Sequence, residues 1–161
     1  MKSHFVIRAA EFIERFIPFW EDCDSVEGAV EGYNIFYNQH AIILHGSTRY
    51  ALLNSDFVIK WDYNESLIDT FGGCQNEVNV YREAKIYGYD YLFAEITPLK
   101  IRGYQFYVMP RIDNVGMYDD IEEYLTEDEN DFICDIEVHD LHSANWGMKD
   151  NHPIIIDYAC V

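Results

Sequence analysis

Apolar positions fall at helical spacing over residues 4–20. Phe5, Ala9, Phe12, Ile13, Phe16, Ile17 and Trp20 line one stripe, with Arg8, Glu11, Glu14 and Arg15 off it. This pattern predicts an amphipathic helix, whose last turn Pro18 weakens. Residues 21–32 are acidic and contain glycine, and they read as a loop. Strand signals follow. Residues 34–45 are rich in Ile, Phe and Tyr, and runs 49–53 and 57–63 flank the polar turn Asn54-Ser55-Asp56, which predicts a hairpin. Phe71-Gly72-Gly73 interrupts the pattern. Helical spacing returns over 76–87 through Val78, Tyr81, Ala84 and Lys85, with Gly88 as its stop. Two more strands are predicted near 93–99 and 104–109, around the turn Lys100-Ile101-Arg102-Gly103. Residues 118–136 read as two short helical pieces. A loop over 139–147 leads to a last hairpin with Lys149-Asp150-Asn151-His152 at its tip. Its second strand, 153–156, is almost wholly apolar and is expected to be buried. Helix, strands, helix, strands, short helices and hairpin in that order predict an α+β fold with a mostly antiparallel sheet. The length of 161 residues, with no repeat and no low-complexity linker, predicts one domain over 1–161.

Composition sharpens this picture. Hydrophobic residues make up 49% and aromatic ones 16%, enough for a core and too much for a disordered chain. No apolar run is long enough to span a bilayer, and Met1-Lys2-Ser3-His4 does not open a signal peptide. The expectation is a cytoplasmic protein that does not enter a membrane. Cys23, Cys74, Cys134 and Cys160 are scattered, as free thiols are in a reducing compartment.

The formal net charge is −18, which repels nucleic-acid phosphates and excludes direct binding to a nucleic-acid backbone. It favours divalent cations and basic partners. The charge is also uneven: no Lys or Arg lies between Ile112 and Met148, while acidic residues crowd 119–137. Two readings of that stretch stand side by side, a solvated face and a docking surface for a basic protein. The aromatic stripe of 4–20 packs either on its own domain or on a second copy, and left exposed it would favour a homodimer.

The segment richest in chemistry is His139-Asp140-Leu141-His142-Ser143-Ala144-Asn145-Trp146-Gly147, followed by Ile154-Ile155-Ile156-Asp157-Tyr158-Ala159. Phosphoryl transfer from ATP requires a carboxylate to position the attacking hydroxyl, an oxygen ligand for Mg²⁺ a few residues on, and a second carboxylate on the metal. Asp140, Asn145 and Asp157 supply that set. Plainer readings compete. Asp140 and Asn145 are also turn-capping types. Asp157 follows three isoleucines, where a carboxylate needs a metal or a hydrogen-bond partner. His139 and His142 with Asp140 would suit a transition-metal site or a phosphohydrolase pair.

The Asp140-to-Asn145 loop resembles the catalytic loop of the protein-kinase-like superfamily. Its Asp-Leu-His form is closer to aminoglycoside-phosphotransferase-like kinases and to kinase-like phage proteins than to eukaryotic protein kinases. Asp157-Tyr158-Ala159 looks like that family's Asp-Phe-Gly metal motif. Phe57-Val58-Ile59-Lys60 resembles the strand whose lysine holds the α- and β-phosphates, against the alternative of an edge-strand lysine. Glu77 is the candidate to pair with Lys60, with Glu83 in reserve, against a solvated helix position. Tyr107-Val108-Met109-Pro110-Arg111-Ile112 resembles the strand and hinge at the adenine. Gly46 is the one glycine where the family's phosphate loop has several, and Val138 stands where the family has histidine. The resemblance spans roughly 40–161. It implies an N-lobe and hinge over 34–113 with an antiparallel sheet and one main helix, and a minimal C-lobe over 114–161 that stops after the Asp157 motif, with 1–33 a preceding helix and loop. It implies catalytic Asp140 and Lys60, nucleotide contacts from Gly46, Lys60, Glu77, Met109 and Ile112, and Mg²⁺ on Asn145 and Asp157, with ATP as co-substrate. The expected function is a protein-directed phosphotransferase of phage or prophage type. The alternative is an inactive kinase-like acidic protein, a pseudokinase, that captures and inhibits a basic host partner.

Overall fold

The stripe predicted over 4–20 forms helix α1, His4–Asp22, and Pro18 does not end it. In this computed structural model, residues 3–46, 48–63, 73–114 and 120–158 are described. The second helix, α2, Val26–Tyr37, corrects the reading of 21–32 as a loop. Ser25 caps it by accepting the Gly28 N–H at 3.1 Å, and Val26, Ala29, Val30 and Tyr33 bury one face. A Cβ on Gly32 would lie 3.3 Å from the Phe19 ring, so the missing side chain lets α1 and α2 approach closely. The predicted strand over 34–45 is shortened accordingly. Asn38 ends α2 in the left-handed conformation at φ 51°. The Asn34 side chain then holds the departing chain through two 2.9 Å bonds to the backbone of Ala41.

Strands β1 (Ile42–His45), β2 (Arg49–Leu53), β3 (Phe57–Asp62), β4 (Thr97–Ile101) and β5 (Tyr104–Pro110) make an antiparallel sheet in the order β1-β2-β3-β5-β4. The β2–β3 hairpin falls where predicted. The β4–β5 turn has positive φ at both Arg102 and Gly103, the backbone that two-residue hairpin turns need. The α1 stripe lies on this sheet. Phe12 meets Phe57 edge-on at 5.8 Å, Phe16 meets Trp61 at 6.2 Å, and Trp20 meets Phe106 at 5.9 Å. Each such ring removed from water contributes about 1.5–3 kcal/mol. The stripe is therefore covered within its own chain. These elements form one compact unit, Met1–Glu65 with Thr97–Arg111.

The second unit is Ser66–Ile96 with Ile112–Val161. Helix α3, Cys74–Tyr87, belongs to it and stops at Gly88 as predicted. The helical pieces predicted over 118–136 are a 3-10 turn, Ile121–Tyr124, and α4, Glu127–Asp135. Strands β6 (Trp146–Lys149) and β7 (His152–Ile155) form the terminal hairpin, with Asp150 and Asn151 both at positive φ in its turn. Two expectations change here. The strand near 93–99 begins only at Thr97, and Phe93 instead bridges Ile155, with Ala94 N–H donating to Ile155 O at 2.8 Å. The apolar run 153–156 is not buried throughout: Pro153 and Ile155 are buried while Ile154 and Ile156 are half-buried, the alternation of a strand with one face inward. The α+β class with an antiparallel sheet stands. No helix among the described residues is long and apolar enough to cross a membrane.

Candidate phosphotransfer site

The second unit joins the two candidate motifs through one residue. Asn145 is 8% exposed, and its backbone O accepts both the Ile156 N–H at 2.8 Å and the Asp157 N–H at 3.2 Å. The loop carrying Asp140 is thereby fixed to the strand end carrying Asp157. Asn145 Nδ2 donates to the backbone O of Asp140 at 2.7 Å, which orients the amide. Asp140 sits at φ 60°, a left-handed backbone that Asp tolerates better than most side chains. Its side chain is 56% exposed.

His142 completes the loop. The Ala144 N–H points at its Nδ1 at 3.3 Å, and Asn145 Nδ2 lies 3.2 Å from its Nε2. Nε2 faces Asp140 Oδ1 at 3.6 Å, beyond hydrogen-bond range. Nothing else brings His139 to this set, and among the described residues no three His, Cys, Asp or Glu side chains converge to hold a metal. Asn145 and Asp157 are hard oxygen donors, a two-ligand set of the kind Mg²⁺ uses when phosphates and waters fill its other positions.

Glu77 lies beside the same strand end. It is fully buried on α3, and its Oε1 accepts the Tyr158 N–H at 3.2 Å. Glu83 is exposed on the same helix. Tyr158 is held in turn by its hydroxyl, which donates to Ala94 O at 2.6 Å, and by the edge of Phe93 at 5.0 Å. Burial pushes the Tyr158 hydroxyl well above its usual value near 10, and the charge of Glu77 adds to the shift, so it stays a donor.

In the first unit Lys60 is 5% exposed in the middle of β3, between Ala51 and Tyr107 on the flanking strands. β3 is the central strand of five, so Lys60 is not an edge-strand lysine. A buried ammonium at such a place requires compensating partners. Met109 is 2% exposed on β5, opposite Val58. Ile112 is half-buried in the second unit. The Gly46 N–H donates to Arg49 O at 2.8 Å, closing the β1–β2 turn, and Gly46 O accepts the Tyr63 hydroxyl at 2.5 Å. Gly46 can offer that amide to a phosphate only if the turn opens.

The acidic stretch divides. Asp120, Glu122, Glu123, Glu127, Asp128, Asp131, Asp135 and Glu137 are exposed, and Asp119 lies outside the described residues. Glu129 is different: it is 6% exposed and structural. Its Oε2 accepts the Thr126 N–H at 2.9 Å in a capping box, and its Oε1 accepts from the Tyr91 hydroxyl at 2.9 Å and His152 Nε2 at 3.2 Å. One carboxylate thus ties α4 to the 3-10 turn Asp90–Leu92 and to β7. The Thr126-x-x-Glu129 spacing is a capping-box signature in the sequence, but its charged surroundings disguise the burial.

A pH dependence follows. Burial pushes the Glu129 carboxyl up, but the hydrogen bonds from Thr126, Tyr91 and His152, with the His152 charge, outweigh it and hold the group below its usual value near 4.5. A carboxyl depressed in the folded state stabilises above its unfolded value, and that stability is lost as pH falls through the folded value. Thermal melts from about pH 6 to about pH 3 should show this loss as part of the acid limb. Glu129→Gln should flatten that part and lower stability at neutral pH. An unchanged acid limb would remove Glu129 from the account.

No family profile matches the chain, and no curated protein matches it. Its structure is similar to that of the choline kinase LicA from Streptococcus pneumoniae, with a TM-score of 0.41 and 12% identity, covering 84% of this chain and 69% of that one. Likeness at that level assigns neither an activity nor a substrate to this chain.

Proposed function

We propose that the chain is a kinase-like phosphotransferase that uses ATP with Mg²⁺. The observation that carries the reading is the Asn145 carbonyl, which binds the amides of Ile156 and Asp157 and so sets an Asp, an Asn and a second Asp around one loop-to-strand junction. Asp140 orients the acceptor hydroxyl and takes its proton. Asn145 Oδ1 and the Asp157 carboxylate hold the cation, which when bound neutralises charge on the transferring phosphoryl group. Lys60 orients the α- and β-phosphates, the role in which the sequence resemblance makes Glu77 its candidate partner. Met109 and Ile112 border the base. Catalysis of this kind is positioning and charge neutralisation.

The Asp-Leu-His loop supports placing the protein with small phage-type or aminoglycoside-phosphotransferase-like kinases. The eight exposed carboxylates between Asp120 and Glu137 support a basic, protein-directed substrate. The same surface supports a second reading, in which the scaffold captures a basic host protein without phosphorylating it.

Calorimetric titration with ATP, with and without Mg²⁺, tests the nucleotide site. Binding should require Mg²⁺, and Asp157→Asn should abolish the Mg²⁺-dependent part. No binding up to about 1 mM ATP, the upper end of ordinary enzyme KM values, would defeat the enzyme reading and leave the capture of a basic partner.

A further inference from the structure

The first unit holds a cavity that phosphotransfer does not use. It measures about 310 Å³ and lies between α1, α2 and the β2–β3 turn. The buried rings of Phe12, Tyr33 and Phe57 form its apolar wall, and Arg8 and Arg15 project from α1 at its rim. Two of the chain's eleven Lys and Arg residues therefore meet at one small cavity in a protein of net charge −18.

The two arginines are not equivalent. Arg8 is neutralised by an ion pair with Asp56. Arg15 has no carboxylate partner among the described residues. Its guanidinium lies 5.8 Å from the Tyr37 ring centroid, and Arg15 lines the cavity together with Tyr33. The Tyr33 hydroxyl carries an O–H that can donate. Burial raises the Tyr33 pKa above its usual value, which keeps that proton in place. One planar fork, one hydroxyl donor and an aromatic wall stand together, the elements that bind a carboxylate on a flat ring. Glu11, on the same wall, weighs against a second negative charge.

We propose that this cavity is a binding site for a small aromatic monocarboxylate, held by Arg15 and the Tyr33 hydroxyl with its ring against Phe57 and Tyr37. The site lies wholly within the first unit and does not depend on the phosphotransfer reading. The overall charge repels any anion, so a bound one reports local recognition rather than bulk attraction.

Benzoate is the probe, with benzamide as its neutral isostere and phenyl phosphate as the dianion. Amide chemical shifts of the full chain, followed during titration, should change at α1, residues 33–39 and residues 54–57. Benzoate should bind at least about tenfold more tightly than benzamide, the size expected for a hydrogen bond to a charged group. Arg15→Gln should remove that advantage, while Arg15→Lys, which keeps the charge and loses the fork, should retain part of it. Arg15 is exposed, so thermal melts of both variants should match the wild type. Equal affinity for benzoate and benzamide, insensitivity to Arg15→Gln, or no binding at about 10 mM, the weak limit of a useful site, would overturn the proposal. Tighter binding of phenyl phosphate than of benzoate would overturn its single-charge character.

Discussion

Asp140→Asn should reduce phosphoryl transfer by about 10²–10⁴-fold, the contribution of a positioned general base, and leave ATP binding unchanged. The substitution is informative because the competing reading makes the opposite forecast. Asn accepts the left-handed backbone at φ 60° as readily as Asp, and both types cap turns. If Asp140 only shapes the loop, Asn at that position preserves everything. The structural disturbance should be slight in either case. The Asp140 side chain is 56% exposed, and His142 Nε2 lies 3.6 Å from its Oδ1. The bond that orients Asn145 runs to the Asp140 backbone, which the substitution leaves in place. Thermal melts should therefore stay within about 0.5 kcal/mol of wild type, as for most surface changes. The assay is transfer of the γ-phosphate to basic peptides and to small hydroxyl compounds. Equal transfer by wild type and variant would strip Asp140 of its role.

The parts of the fold visible in the chain are those set by local pattern. The α1 stripe, the β2–β3 hairpin around Asn54-Ser55-Asp56, the helix ending at Gly88 and the terminal hairpin all follow from period and turn chemistry. α2 was hidden because Gly28 and Gly32 lower helix propensity and acidic residues dilute its stripe. Tertiary packing overrides both: Gly32 serves the contact with Phe19, and Ser25 supplies the cap. The short apolar run at 93–99 misled for another reason. Its first residues pair with Ile155, far along the chain, and no local pattern encodes a partner at that distance. The candidate site divides in the same way. Asp140, Asn145 and Asp157 stand out by type and spacing, whereas the carbonyl of Asn145 that joins them is backbone and invisible in a sequence. Glu77 and Glu83 look alike on paper, and only packing separates a buried carboxylate from an exposed one. Glu129 is the converse case, a structural residue concealed among surface charges.

Gly147→Ala should be among the most destabilising single substitutions in the chain. A Cβ there would stand 2.2 Å from Asp113 O, 2.8 Å from Ile112 Cγ2 and 3.2 Å from Asp113 C. Two of these three atoms are backbone, so no rotamer change relieves the clash. The segment must move, and with it the bridge between Asn114 and Gly147. Forced overpacking of this kind costs about 1–3 kcal/mol and more where backbone cannot yield. At about 2–4 °C per kcal/mol for a chain of this size, the melting temperature should fall by roughly 5–10 °C. Neighbouring Trp146, fully buried against Tyr124, would lose part of its packing as well. Gly32→Ala is the matched contrast. There the added methyl meets only the Phe19 side chain, at 3.3 Å, and that ring can shift while the helix gains propensity. A large loss at Gly147 beside a small one at Gly32 would establish the close backbone contact that seats Ile112 and Asp113 on β6. Similar small losses at both would mean that 112–114 does not rest on β6.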